Sequence, residues 1–154
     1  MLLLPKILTI YLIFMNIQPE IPQGQTKEEM QIRKKIIKDF YSIWNAANPT
    51  KHVYNIDLND FINVRFLSIQ ETSLLAALSY KSTLAVTFLS EILEKATVKE
   101  RVKPKPNNQN QKRFSEMILM RYDKEEFGTI KLTVGVLKTS RQKIQYCITA
   151  IENG

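Results

Sequence analysis

The sequence predicts an α+β fold, with helices in the amino-terminal part and an antiparallel meander of strands after them. Three observations carry this reading. Apolar residues recur at helical spacing between positions 26 and 48 and again between 68 and 96. Beyond position 113 the apolar period drops to two. Between these regimes lies a basic, proline-containing stretch whose centre has no apolar residue. The chain has 154 residues, 44% apolar and 24% charged, which suits one hydrophobic core. That balance excludes wholesale disorder, a collagen-like fibre and a multi-span membrane protein.

Residues 1–17 are apolar except for Lys6, Thr9 and Asn16. The run Ile7 to Met15, free of charge and broken only by Thr9, is shorter than the roughly 20 residues a membrane-spanning helix needs, but has the length of a signal-peptide core. Three readings stay open for 1–17: a signal peptide or membrane anchor, an arm packed on the domain, or an extension from an early start codon. Residues 18–25, with two prolines and a glycine, read as a linker, and 26–154 as a single α+β domain. Thr26 to Glu29 fits a capping box. Ile32, Ile36, Ile37, Phe40, Ile43 and Trp44 follow as one apolar stripe until Asn48-Pro49 stops the helix. Short strands are expected over 52–56 and 61–67. A second capping box, Ser68 to Glu71, is expected to open a helix with Leu74, Leu75 and Leu78 inside. After an interruption at Tyr80–Thr83, helix resumes from Ala85 to Ala96. Strands then cover 114–122, 130–136 and 144–150, where Ile130, Leu132, Val134 and Val136 alternate with Lys131, Thr133 and Gly135.

Charge and side-chain inventory narrow the chemistry. Lys plus Arg total 22 against 15 Asp plus Glu, a formal charge of +7. Positions 95–113 hold seven of those bases and one acid. Such a stretch is either a solvated linker or an arm that tracks phosphates, and the surplus favours nucleic acid or an acidic membrane as partner. One cysteine and one histidine exclude a disulfide framework and cysteine-cluster or His-rich metal sites. No phosphate loop, dinucleotide fingerprint, nucleophile elbow or zinc-protease helix occurs. The reaction best suited to what remains is metal-independent RNA cleavage by the 2′-hydroxyl, which needs a base, an acid and cations but no cofactor.

The run Phe61-Ile62-Asn63-Val64-Arg65-Phe66-Leu67-Ser68, then Glu71-Thr72, then Ser79-Tyr80-Lys81-Ser82-Thr83 resembles small nuclease domains of phages and conjugative elements. The Leu89 to Ala96 helix, the basic loop after it and the strands Lys131–Val134 and Tyr146–Thr149 extend the likeness. These domains form the barnase, EndoU, colicin and RelE-like group. The resemblance covers roughly 44–151 in element order. It implies helices packed on a four-stranded antiparallel sheet, RNA bound across the sheet face, and a toxin or effector role. An acidic immunity protein is the second partner such a toxin calls for; a membrane partner follows only if 1–17 is an anchor. It also implies that Lys81, with Ser82 or Thr83, neutralises the scissile phosphate, and that Thr149 is the strand-end hydroxyl. Arg113 stands where several relatives have a histidine, so the same fold used for binding nucleic acid or protein without catalysis is the alternative.

Each candidate also has a structural reading. His52 is a catalytic group or a surface or capping histidine. Glu71 is a base or the partner in a capping box. Lys81 is a phosphate ligand or a solvated helix-end lysine. Arg65 faces solvent or reaches a phosphate with its planar fork. Tyr146 stacks on a base or fills the core beside Ile144 and Ile148. Trp44 and Cys147 read as core.

Overall fold

The computed structural model describes residues 20–151. The readings of 1–17 lie outside them. Helix α1, Lys27–Ala47, starts where the capping box predicts: Thr26 Oγ1 accepts from the Glu29 amide at 3.1 Å and donates to the Glu29 carboxylate at 2.9 Å. The other Glu29 oxygen accepts from Gly24 N at 2.8 Å. These bonds, Thr26 first, hold the Glu29 carboxyl below its ordinary range. The buried stripe is turned from the expected one. Arg33, Ile37, Phe40, Tyr41 and Trp44 face inward, and Ile32 is exposed. Arg33 is fully buried because backbone carbonyls receive its guanidinium: Ala77 O at 2.7 Å, Pro22 O at 2.8 Å and Gly24 O at 2.7 Å. Positions 20–25, read as linker, are thereby fastened to α1, with Ile21 buried.

Strands β1 (His52–Asn55) and β2 (Asp60–Asn63) form a hairpin. Helix α2 covers Phe66–Leu75, a 3₁₀ turn Ala76–Leu78, α3 Tyr80–Val86 and α4 Leu89–Lys95. Strands β3 (Thr97–Val102), β4 (Phe114–Lys124), β5 (Gly128–Leu137) and β6 (Lys143–Ala150) complete the chain. All six strands join one sheet in the order β1-β2-β6-β5-β4-β3, curled into a half-barrel.

The chain is α+β, but its sheet is mixed and six-stranded, which overturns the expected four-stranded antiparallel sheet and the barnase/RelE-like architecture. Two features account for this. Residues 97–102, taken as part of the basic loop, are an edge strand on β4 in which only Val98 and Val102 are half-buried. Charge along an edge strand guards against edge pairing and hides the strand from a hydrophobicity pattern. The β1–β2 hairpin, in turn, joins through a parallel pairing of Ile62 and Asn63 with Lys143 and Ile144 at the start of β6.

The expected strand over 61–67 stops at Asn63, and α2 begins before Ser68 because Ser68 Oγ accepts from Arg65 N at 3.0 Å. Glu71 therefore sits inside the helix and closes no capping box. Leu74, Leu75 and Leu78 are exposed; Ser68, Glu71, Thr72 and Ser73 are the buried side. Polar residues are tolerated there because α2 lies beside the part of β6 that β2 leaves unpaired. Gln145 ties three elements together, donating to Thr72 Oγ1 and accepting from the Tyr41 hydroxyl, both at 2.8 Å.

The sheet's two faces differ. On one, Ile118, Met120, Ile130, Leu132, Val134 and Ile148 pack against α1 and α4 through Ile37, Phe40, Trp44, Leu89 and Ile92. The opposite face carries a smaller cluster of Leu67, Phe114, Met117, Ile144, Tyr146 and Cys147. Gly135 makes room for it: a Cβ there would lie 2.6 Å from the Phe114 ring. No helix among the described residues is long and apolar enough to cross a membrane.

Candidate functional site

Strand registry sets out the second face in rows. Leu119, Thr133 and Cys147 lie side by side across β4, β5 and β6; Arg121, Lys131 and Thr149 form the next row. Beyond β3, residues 103–113 fold back over this face. With no apolar residue at its centre, the segment is ordered by amide side chains: Gln111 Oε1 accepts from Lys105 N at 2.7 Å, Asn108 Oδ1 from Asn110 N at 2.9 Å, and Asn110 Nδ2 donates to Glu71. Gln111 is buried as a result. Between this segment, Leu75 of α2 and the strands lies a groove of about 240 Å³. Lys103, Lys105 and Lys131 supply its charge, Thr133 and Thr149 its hydroxyls, and Tyr146 and Cys147 its floor.

The floor is buried and touched by one negative charge. Burial, then the neighbouring Glu71 carboxylate, push the Cys147 thiol up to about 12, with Lys131 pulling the other way. Burial also raises the Tyr146 phenol; the Gln111 and Asn108 amides work against that rise and Glu71 adds to it. Its hydroxyl is buried without a well-aligned hydrogen bond. Neither group ionises at neutral pH, so the groove's charge comes from three lysines around an uncharged floor.

Of the residues singled out from sequence, Glu71, Tyr146 and Thr149 come together at this groove. The others do not line it. Lys81 is exposed on the first turn of α3 and makes no hydrogen bond or ion pair among the described residues. Ser82 and Thr83 beside it are buried and structural. Ser82 Oγ accepts from Ala150 N at 2.7 Å; Thr83 Oγ1 is shared by Ala76 O and Ser79 O. Arg65 and Arg113 flank a neighbouring hollow of about 300 Å³ that also exposes Phe66, and Arg65 Nη2 donates to Gln142 at 2.7 Å. His52 stands on the hairpin opposite Asn63, whose partner on β6 is Ile144. From there Thr149 is five residues along β6, roughly 16 Å at the rise of a strand. Of the four residues read as catalytic, Thr149 lines the groove with Glu71 behind its floor, Lys81 precedes the Ser82 that bonds Ala150 at the end of β6, and His52 stands on the hairpin.

Sequence reading passed over Lys131, Thr133 and Gln111 as groove residues. The first two carried a legible signal, since they alternate with Ile130, Leu132 and Val134 and must face away from the main core. Gln111 carried none; its burial follows from the fold of the segment. Among the described residues, no three of His, Cys, Asp or Glu cluster as metal ligands do. Comparison with protein-family models, curated proteins and solved structures yields no match for this chain.

Proposed function

We propose that the chain binds single-stranded nucleic acid, RNA foremost, across the sheet face that α1 and α4 leave open. The observation carrying this reading is the convergence of Lys103, Lys105 and Lys131 on a groove with hydroxyls and an uncharged aromatic floor. Lysines neutralise phosphates and release counterions, while hydroxyls and amides position sugar and backbone. The formal charge of +7 supports the same class of partner.

Fluorescence anisotropy of a labelled oligouridine, titrated between about 50 and 200 mM salt, tests the reading. Affinity is expected to fall steeply with salt. The Lys105→Ala/Lys131→Ala pair is expected to flatten the log–log slope by about 1.4, at about 0.7 for each phosphate of a single strand no longer neutralised. Absence of binding, or binding indifferent to salt, overturns the proposal. Incubating the same RNA with the protein in EDTA addresses metal-independent cleavage. Products that disappear with Glu71→Gln or Lys81→Ala add a ribonuclease activity, and intact RNA confines the domain to binding.

A further inference from the structure

We propose that the β1–β2 hairpin is a nucleobase-stacking platform, a second subsite on the sheet face that bears the lysine groove; the inference rests on the nucleic-acid reading of that groove. His52, Tyr54 and Phe61 project from one side of the hairpin, since Tyr54 pairs with Phe61 and His52 is the next outward residue on β1. The His52 and Phe61 rings are stacked, with centroids 4.2 Å apart and planes at 22°. Tyr54 meets Phe61 edge-on at 5.3 Å, and its hydroxyl donates to Asn59. Phe61 and Tyr54 are 43% and 42% exposed.

Cross-strand aromatic pairs stabilise hairpins on their own, so the platform alone proves no ligand. Its surroundings supply the second argument. A hollow of about 380 Å³ opens beside His52 and Phe61, walled by Asn63, Arg141, Gln142 and Lys143. Arg141 is exposed at the β5–β6 turn with φ +64°, and Lys51, with φ +56°, is exposed immediately before His52. Among the described residues, Asp60 is the only carboxylate lining the hollow, and Lys143 Nζ neutralises it at 2.6 Å. That bond holds the Asp60 carboxyl below its usual range. Net positive charge beside partly exposed rings complements a strand that presents phosphates on one side and bases on the other.

The platform is also placed in line with the groove. His52, Phe61 and Asn63 share a face with Ile144 through the β1–β2 and β2–β6 registers, and Arg65 and Arg113 lie between the two subsites. A single strand held by the lysines at one end and stacked on the hairpin at the other crosses a hollow where Arg65 and Arg113 stand beside Phe66 and Leu137. Phosphates bind at Lys103, Lys105 and Lys131; bases stack at Phe61 and Tyr54.

The test compares two ligands on the full chain: an oligouridine of about twelve nucleotides, within the range of single-strand sites, and an abasic oligonucleotide of the same length. Wild-type protein is expected to favour the base-bearing strand about tenfold or more, the scale of aromatic stacking. Tyr54→Ala/Phe61→Ala is expected to lose that preference while keeping its abasic affinity and its salt slope. Phe61→Trp alone is expected to retain stacking, which separates a lost ring from a misfolded hairpin. Equal wild-type affinity for both ligands, or a preference that survives the double substitution, overturns the platform and leaves the lysine groove standing. Binding to neither ligand overturns both.

Discussion

On the face turned toward α1 and α4, Ile118, Leu132, Val134 and Ile148 are fully shielded from water. One residue away along the same strands, Leu119, Lys131, Thr133 and Thr149 keep part of their exposure. Strand geometry requires that alternation; the chemistry on each side is this chain's choice. The helix-covered face is apolar at its centre, and its titratable groups are held in structural contacts: the Tyr41 hydroxyl donates to Gln145, and Tyr122 and Lys124 meet Glu91. The other combines three lysines, two threonines, a buried phenol and thiol, and three outward-facing rings on the hairpin. On the proposed nucleic-acid reading, stability and recognition fall to alternate residues of β4, β5 and β6. Substitutions one position apart should have opposite consequences.

The largest contrast is expected between Leu132 and Lys131. Leu132→Ala removes a fully buried side chain and should destabilise the fold by about 3 kcal/mol, within the usual range for core truncation. The molecules that remain folded should bind RNA as before. Lys131→Ala should change stability by less than about 0.5 kcal/mol yet weaken RNA binding and flatten its salt dependence. Urea titration followed by Trp44 fluorescence reads the first effect, and anisotropy reads the second. If Leu132→Ala abolished binding by folded protein, the two faces would not be separable.

A smaller effect is expected where the second face is least like a surface. Glu71 is buried beneath the 103–113 segment and accepts from Asn110. Asn110→Ala leaves that carboxylate short of a donor and should cost about 2 kcal/mol. It should also loosen the segment that holds Lys103 and Lys105. Glu71→Gln should cost less, since an amide oxygen still accepts from Asn110. Thermal melts of the two variants rank them; equal losses would show that the Asn110 hydrogen bond does not order the segment.

The division between the faces was only partly legible in the sequence. The α1 capping box, the helix end at Asn48-Pro49 and the strands over 114–122, 130–136 and 144–150 follow from local signals that tertiary packing leaves alone. The orientation of α2 does not. Its leucines look like a core stripe, but Gln145 on β6 offers hydrogen bonds to the helix's polar side, and that partner lies 73 positions away from Thr72. Strand β3 is masked by its own charge. The hairpin's docking on β6 rests on two residue pairs that no periodicity announces. At the site, Tyr146, Thr149 and Glu71 were visible as residue types, and the basic segment as charge. What gathers them is the folding-back of 103–113, made by Asn and Gln side chains that read only as loop. The exposed rings of Tyr54 and Phe61 were hidden because an outward aromatic and an inward one look alike until the opposite face of the strand is known.

Cys147 offers the finest probe of the boundary, because it lies on the groove-bearing face and is sealed like the core. Its thiol is raised from 9.0 to about 12, chiefly by burial and next by Glu71. A group whose pKa is higher folded than unfolded contributes stability that is intact below its unfolded value and is lost as pH climbs toward the folded one. The window is therefore alkaline, opening near pH 9. At pH 10 the unfolded thiol has mostly ionised and the native one has not, a loss of at most about 1.4 kcal/mol for this one group. Tyr41 and Tyr146 are also raised by burial, but from 10.0, so they add to the decline only at higher pH. Chemical denaturation of wild type and Cys147→Ala at pH 7, 9 and 10 isolates the thiol, and the wild type should lose more between pH 7 and 10 than the variant. A thiol reagent at pH 8 should leave the native protein unlabelled and modify it once unfolded. Parallel pH profiles, or fast labelling of native protein, would mean that water reaches the groove floor and that the Tyr146–Cys147 wall belongs to the open surface instead of the small cluster beneath it.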